Sequence, residues 1–387
     1  MKSLYLPGSL RVGGGSIDGL PDALRQIGLR TPLIVTDPFM ASSGVLDRVL
    51  SVLDAAGVSA RVFDGVVPDP TVASVEAAVA VLRGGQHDCV IGLGGGSPID
   101  TAKMVAVLAL HDTSPRALRH PHVQDQPGLP VVAVPTTAGT GSEATRFTII
   151  TDEATQEKML CVGLAYLPRL AIVDYELTLS KPWRLTADTG LDALTHAIEA
   201  YVSRQNNPFA DALALAAMRG IWPNIATACT TPGDRRAREA MMLGALQAGM
   251  AFSNSSVALV HGMSRPIGAH FHVAHGLSNA MLLPAVTAWS IAAAEPRYAD
   301  CARAMGVVDA GAPDRDAAMA LVSALEDRNR ELEVPSPRRY GLDPERWTAL
   351  LPLMAEQALA SGSPGNNPLV PDTASIVALY REIWDRD

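Results

Sequence analysis

A chain of 387 residues with 31 Lys and Arg against 40 Asp and Glu carries a formal charge of −9. That excludes the basic field needed to grip nucleic-acid phosphates or an anionic membrane. With 48% hydrophobic and 18% charged residues the chain is globular rather than disordered, and at about 150 residues per domain its length predicts two domains. A small-molecule enzyme is the class these numbers favour.

The N-terminal Met1–Ser16 holds Lys2, Arg11 and four glycines, and lacks the apolar core of a signal peptide. No later stretch approaches 18 uninterrupted apolar residues, so no membrane span is expected. Cys89, Cys161, Cys229 and Cys301 stand about 70 residues apart with no CxxC pair. Isolated thiols of this kind fit a reducing compartment, and a cytoplasmic location is expected.

Thr31–Asp37 reads as a buried strand, Gly44–Ala56 as a helix, Ala60–Phe63 as a strand, Val72–Arg83 as a helix and Asp88–Leu93 as a strand. After Gly94–Ser97 come a helix over Ile99–Leu110 and a strand over Leu129–Val134. Strands alternating with helices predict a parallel sheet covered on both faces. Residues 147–174 read as further strands, with a hairpin around Asp152–Glu153 and a last strand ending at Asp174. Past Pro182 the apolar residues recur at helical spacing through Leu191–Val202, Ala210–Ile221, Arg235–Phe252 and Arg315–Leu332. Proline disfavours helix in the residue before it, which places the boundary near Leu179–Pro182 and gives expected domains 1–180 and 181–387.

Three segments carry chemistry. Asp88–Lys103, DCVIGLGGGSPIDTAK, joins an apolar strand to three glycines, Ser97 and a proline suited to open a helix. It is either a pyrophosphate cradle at a helix N-terminus or a tight strand-to-helix turn. Asp37, closing an earlier strand, is either a ribose-binding acid or an ordinary strand terminus. Pro135–Thr145 places five hydroxyl side chains and two glycines after a buried strand. Open α/β sheets bind ligands there, although such hydroxyls also bond their own backbone.

Asp192 and His196 are four residues apart, on one face of a helix. His261 and His275 are separated by a span with Gly262, Pro266 and Gly268, so two short helices with an elbow are expected. A single His on an apolar helix is usually a bonded core residue. Jointly these four form an N/O set suited to a borderline divalent metal such as Fe²⁺ or Zn²⁺.

Together, Gly94–Lys103, Pro135–Glu143, Asp174–Glu199 and His261-Gly-Met…His275-Gly resemble the iron-containing (group III) alcohol dehydrogenase family. The resemblance implies an α/β N-terminal dinucleotide-binding domain with a parallel, Rossmann-like sheet, followed by an all-α C-terminal domain. It implies the fold shared with dehydroquinate synthase-like proteins, with a cleft between the domains that holds NAD(P) and one metal. It implies Asp192, His196, His261 and His275 as metal ligands. It implies Gly95, Gly96, Ser97 and Asp100 on the pyrophosphate and nicotinamide side, Thr136, Thr137, Thr140 and Ser142 around adenine and phosphate, and Lys158 and Leu177 as further cofactor contacts. Asp37 matches the ribose-binding acid, whose charge favours NAD over NADP. The implied reaction is hydride transfer between nicotinamide and a small alcohol or aldehyde, with Fe²⁺ or alternatively Zn²⁺, in a homodimer.

Maleylacetate-reductase-like and glycerol-dehydrogenase-like activities are the alternatives within the superfamily, and a catalytically inactive nucleotide-binding protein is the alternative outside it. One departure matters. Where many members read His-Gly-Met-Ala-His, this chain reads His261-Gly-Met-Ser-Arg265, and an always-charged guanidinium cannot serve as a base near neutral pH. Either Arg265 binds an acidic substrate such as an ω-hydroxy acid or its semialdehyde, with His270, His272 or solvent relaying the proton, or it braces the domain interface by pairing with a carboxylate.

Overall fold

The computed structural model describes residues 3–155 and 157–386. The first unit runs to Lys181. Its strands are β1 (Leu10–Val12), β2 (Pro32–Val35), β3 (Arg61–Phe63), β4 (Cys89–Gly94), β5 (Val131–Pro135), β6 (Phe147–Asp152), β7 (Glu157–Val162) and β8 (Leu170–Val173). Six of them form one parallel sheet in the order β1-β8-β5-β4-β2-β3, and β6 and β7 pair as an antiparallel hairpin. Strands β2, β4, β5 and β8 are buried at every position, as a doubly covered parallel sheet requires.

The helices of this unit are α1 (Leu20–Gln26), α2 (Pro38–Ser42), α3 (Val45–Ala55), α4 (Val72–Arg83) and α5 (Gly96–Leu108). Alternate strand residues separate the two cores. Leu33, Val35, Val90 and Val131 meet α4 and α5, whereas Ile34, Ile91, Val132 and Ile172 meet α1 and α3. Thr71 caps α4 by accepting from Ser74 N at 3.2 Å, which fixes its start where the sequence predicts it. Two boundaries differ from expectation. α5 begins at Gly96 rather than Ile99, and β1, three residues beside a glycine run, is too short for its pattern to be read.

The second unit, from Pro182 onward, has only helices as its regular elements among the described residues. It comprises α6 (Trp183–Val202), α7 (Pro208–Ile221), α8 (Ile225–Thr230), α9 (Arg235–Ser255), α10 (Leu259–Phe271), α11 (His275–Met305), α12 (Asp314–Glu331), α13 (Pro337–Tyr340), α14 (Pro344–Ala360) and α15 (Thr373–Trp384). The expected elbow between His261 and His275 exists, yet Pro266 lies inside α10 and the turn falls at His272, at φ 56°. Packing of α10 against α11 and α14 overrides the local preference of proline. α11 is long and apolar enough by length and composition to cross a membrane. It is mostly buried against α6 and α12, and bends at Ala294.

Candidate active site

From β2 the chain runs outward to β3, and from β4 it runs the other way to β5, so the sheet changes direction between the carboxyl ends of β2 and β4. Open α/β sheets bind ligands at that point. Asp37 follows β2 and accepts from Met40 N at 2.9 Å. Its Oδ2 stands 3.3 Å from where a Cβ on Gly94 would lie. Gly94 adopts φ +147°, and a Cβ there would sit 2.5 Å from Pro98 Cγ, so the loop closes only with glycine.

Gly95 and Gly96 follow, where the first N–H groups of α5 have no partner within the helix. The Thr/Ser/Gly loop faces them. A Cβ on Gly95 would lie 3.5 Å from Thr137 Oγ1, and one on Gly96 3.1 Å from Thr140 Cγ2. Thr136 N donates to Gly94 O at 2.8 Å, and its own hydroxyl is buried without a partner. Ser97 sits in the first turn of α5, its carbonyl accepting from Thr101.

Other expected cofactor residues are engaged within the protein. Ser142 Oγ donates to Asp100 Oδ1 at 2.5 Å and Ile149 N donates to Asp100 Oδ2 at 2.8 Å, which ties the loop to α5. The buried Lys103 ammonium donates to Thr145 O, Thr145 Oγ1 and Phe147 O. Burial pushes Lys103 down to about 8 and Glu143 up to about 7, while their mutual attraction opposes both shifts. Lys158 pairs with Asp69 at 2.7 Å. Leu177 is a core residue, packed with Leu170 and Ile172.

In the helical unit α6, α10 and α11 converge. Asp192 Oδ1 lies 3.5 Å from His261 Nε2 and 3.8 Å from His275 Nε2. Ligands about 2.1 Å from a common ion at tetrahedral angles stand roughly 3.4 Å apart, so the three donors suit one cation. Gly276 makes this approach feasible, because a Cβ there would lie 2.2 Å from Asp188 O and 3.3 Å from Asp192 Cβ. His196 stands outside the tight trio, its Nδ1 3.9 Å from Asp192 Oδ1 and its ring stacked on Phe252 and His261. Burial alone would raise the Asp192 carboxyl, but His196, His275 and His261 hold it well below the usual range.

Two residues beyond the expected set complete the centre. Glu199 is buried, accepting from Ala258 N at 2.9 Å, Val260 N at 2.6 Å and His261 Nδ1 at 2.6 Å. It thereby caps the start of α10 and presents His261 Nε2 to the trio, in the manner of a carboxylate–histidine–metal chain. Burial would lower His261, but Glu199 and Asp192 raise it. Asn279 Nδ2 donates to Asp192 Oδ1 at 2.7 Å and lies 3.1 Å from His261 Nε2 and 3.3 Å from His275 Nε2. Its Oδ1 is buried with no partner. Spacing could have found both, since Glu199 follows His196 by three and Asn279 follows His275 by four.

The expected proton-relay residues have partners or exposure of their own. His270 bonds Gln357 Oε1 at 2.8 Å, and His272 lies exposed on the elbow. Arg265 donates to Ser363 Oγ at 3.1 Å; burial lowers it to about 10 against the attraction of Glu199, and it stays charged at neutral pH.

Two family models match this chain, Iron-containing alcohol dehydrogenase over residues 7–175 and Fe-containing alcohol dehydrogenase family, C-terminal, over 186–384. It is 37% identical over 375 residues to the lactaldehyde reductase of Escherichia coli K12, covering 96% of this chain and 97% of that one. A 1,3-propanediol oxidoreductase crystal structure superposes with TM-score 0.94 at 35% identity, over 99% of this chain and 100% of that one. The sulfoacetaldehyde reductase of Bifidobacterium kashiwanohense, solved in complex with NAD+, gives TM-score 0.89 at 28% identity over the whole of both chains.

Proposed function

Because the chain belongs to the iron-containing alcohol dehydrogenase family, we propose that it is a metal-dependent, NAD-linked enzyme interconverting small alcohols and aldehydes. The observation that carries this reading is the convergence of Asp192, His261 and His275 on one point, with Glu199 behind His261. When bound, the cation supplies Lewis-acid polarisation of the substrate oxygen, and the nicotinamide gives or takes the hydride. Asp192, His261 and His275 would hold the cation, with His196 alongside. Two histidines and one carboxylate with open positions suit either Fe²⁺ or Zn²⁺, and family membership favours iron.

The protein's own groups do the positioning. Glu199 Oε2 holds the Nδ1 proton of His261 and so fixes the tautomer that frees Nε2. Asn279 fixes Asp192 Oδ1, and the His275 side chain is 40% exposed, which opens the trio to substrate. Gly95, Gly96 and Thr136 offer donors to the pyrophosphate, and Asp37 offers acceptors to the adenosine ribose, which favours NAD over NADP. Arg265 stays charged and His270 is held by Gln357, which supports release of the proton to solvent, directly or through the exposed His272. The test is a panel of alcohols and aldehydes with NAD and NADP after loading Fe²⁺ or Zn²⁺. His261→Ala should abolish turnover while NAD still binds, and full activity in metal-stripped protein would refute the metal role.

The sulfoacetaldehyde reductase likeness favours a second reading, in which the substrate is anionic and Arg265 binds it. Arg265→Ala would then raise KM at least tenfold for an anionic aldehyde and little for a neutral one of equal length, since a charge-assisted pair contributes roughly 1.5–3 kcal/mol. Equal losses would assign Arg265 to bracing alone.

The proposed assembly is a homodimer. Exposed Leu4, Leu6 and Val12, the last on edge strand β1, support it, and sedimentation tests it. Four buried free cysteines support a cytoplasmic location.

A further inference from the structure

Lys181 closes the α/β unit and is only 6% exposed. Its ammonium lies 3.9 Å from Met40 Sδ and 5.0 Å from the centre of the Phe39 ring. A thioether accepts hydrogen bonds weakly and a ring face is a soft partner, so neither replaces the water that the ammonium has lost. The cost is visible in its acidity. Burial pushes Lys181 down to about 8, and the opposing influence is the Asp37 carboxylate. Asp37, Phe39 and Met40 belong to one turn, in which Met40 N donates to Asp37 Oδ1 while Met40 Sδ touches Lys181. A buried, poorly partnered cation therefore faces the same turn as the acid at the end of β2.

We infer that Lys181 is a specificity-determining residue for the adenosine half of the dinucleotide: its ammonium is a partner for a phosphate on the 2′-oxygen, and Asp37 masks it. The inference rests on the reading that Asp37 faces the adenosine ribose, and it adds a second charge to that reading. With both residues present, the carboxylate repels a 2′-phosphate while the ammonium softens the repulsion. With Asp37 removed, the ammonium loses the carboxylate whose attraction opposes its burial, and a 2′-phosphate carrying about −1.5 to −2 charges would supply a counter-charge. Phe39, whose ring centre lies 5.0 Å from the ammonium, is 53% exposed, so this side of the turn is open to a ligand.

Calorimetric titration of NAD+ and NADP+ into D37G, K181M, D37G/K181M and D37G/K181R tests it, with thermal melts confirming that each variant folds. D37G should tighten NADP+ relative to NAD+ by about tenfold, the scale of one charge-assisted contact. D37G/K181M should lose most of that gain, D37G/K181R should keep it, and K181M alone should widen the preference for NAD+ severalfold. Equal NADP+ affinity in D37G and D37G/K181M would overturn the role of Lys181 and leave the ribose reading of Asp37 intact. Unchanged affinities for both cofactors in D37G would overturn both.

Discussion

The Gly94 loop and the Asp192 centre are built from different parts. The loop offers backbone donors at a helix N-terminus and needs glycine only where the chain turns sharply, as at Gly94. The Asp192 centre depends on side chains from three helices, each aimed by a neighbour: Asp192 by Asn279, His261 by Glu199, and His275 by the close approach at Gly276. Backbone donors share their work, so one lost side chain weakens the loop modestly. A convergent set of donors fails when any one is displaced.

The sharpest way to break that contrast is Gly276→Ala. The new Cβ would meet Asp188 O at 2.2 Å, so α11 must move away from α6. Metal affinity should fall more than about 100-fold, as for loss of a ligand's placement, while NAD binding to the other unit stays within a factor of two. Metal analysis after dialysis and cofactor titration read the two effects separately.

Glu143→Gln asks what the buried charges beneath the Thr/Ser/Gly loop cost. The Glu143 pKa is raised from 4.5 to about 7 in the folded chain, so ionising it opposes folding. The wild type then carries no penalty below about pH 4.5, acquires it as pH rises through 7 and bears all of it above. The variant should match wild type at pH 4 and exceed it at pH 8 by roughly 3 kcal/mol, at 1.36 kcal/mol per unit. Chemical denaturation at the two pH values measures it, and a difference that does not change with pH would contradict it.

Glu199→Gln keeps a partner for His261 but removes the charge behind it. Metal affinity should drop about 10- to 100-fold, the usual scale for an outer carboxylate. An unchanged metal content would make Glu199 a helix cap only.

The smallest effect is expected of Ser142→Ala, which removes the bond to Asp100 and should weaken NAD about fivefold, near 1 kcal/mol. A loss comparable with that from Gly276→Ala would erase the contrast between the two regions.

How much of this was legible follows from the range of the forces involved. β2, β4 and α4 were readable because burial on both faces or one stripe writes itself into consecutive residues. The Asp192–His196 face was readable because helical spacing places partners within one turn. The surroundings of His270 and His272 were not readable, because sequence proximity to His275 says nothing about direction: His270 bonds Gln357 and His272 is exposed on the elbow. Lys158 and Leu177 fall at family positions, and what the sequence does not show is that Lys158 pairs with Asp69 and that Leu177 packs into the core. Glu199 and Asn279 acquire meaning only when α6, α10 and α11 meet, although their spacing was in view.

Helix α6 carries Asp192, His196 and Glu199, and 16 of its 20 residues are buried. A helix so enclosed has almost no neutral positions: a change of volume anywhere along it is felt by its packed neighbours and by the carboxylate it carries. Divergence toward new substrates would then be channelled away from it, to surfaces where a side chain can change without displacing another. His275, open to solvent at the head of α11, borders such a surface. A helix that holds three of the proposed centre's side chains is, by its burial, poorly placed to vary.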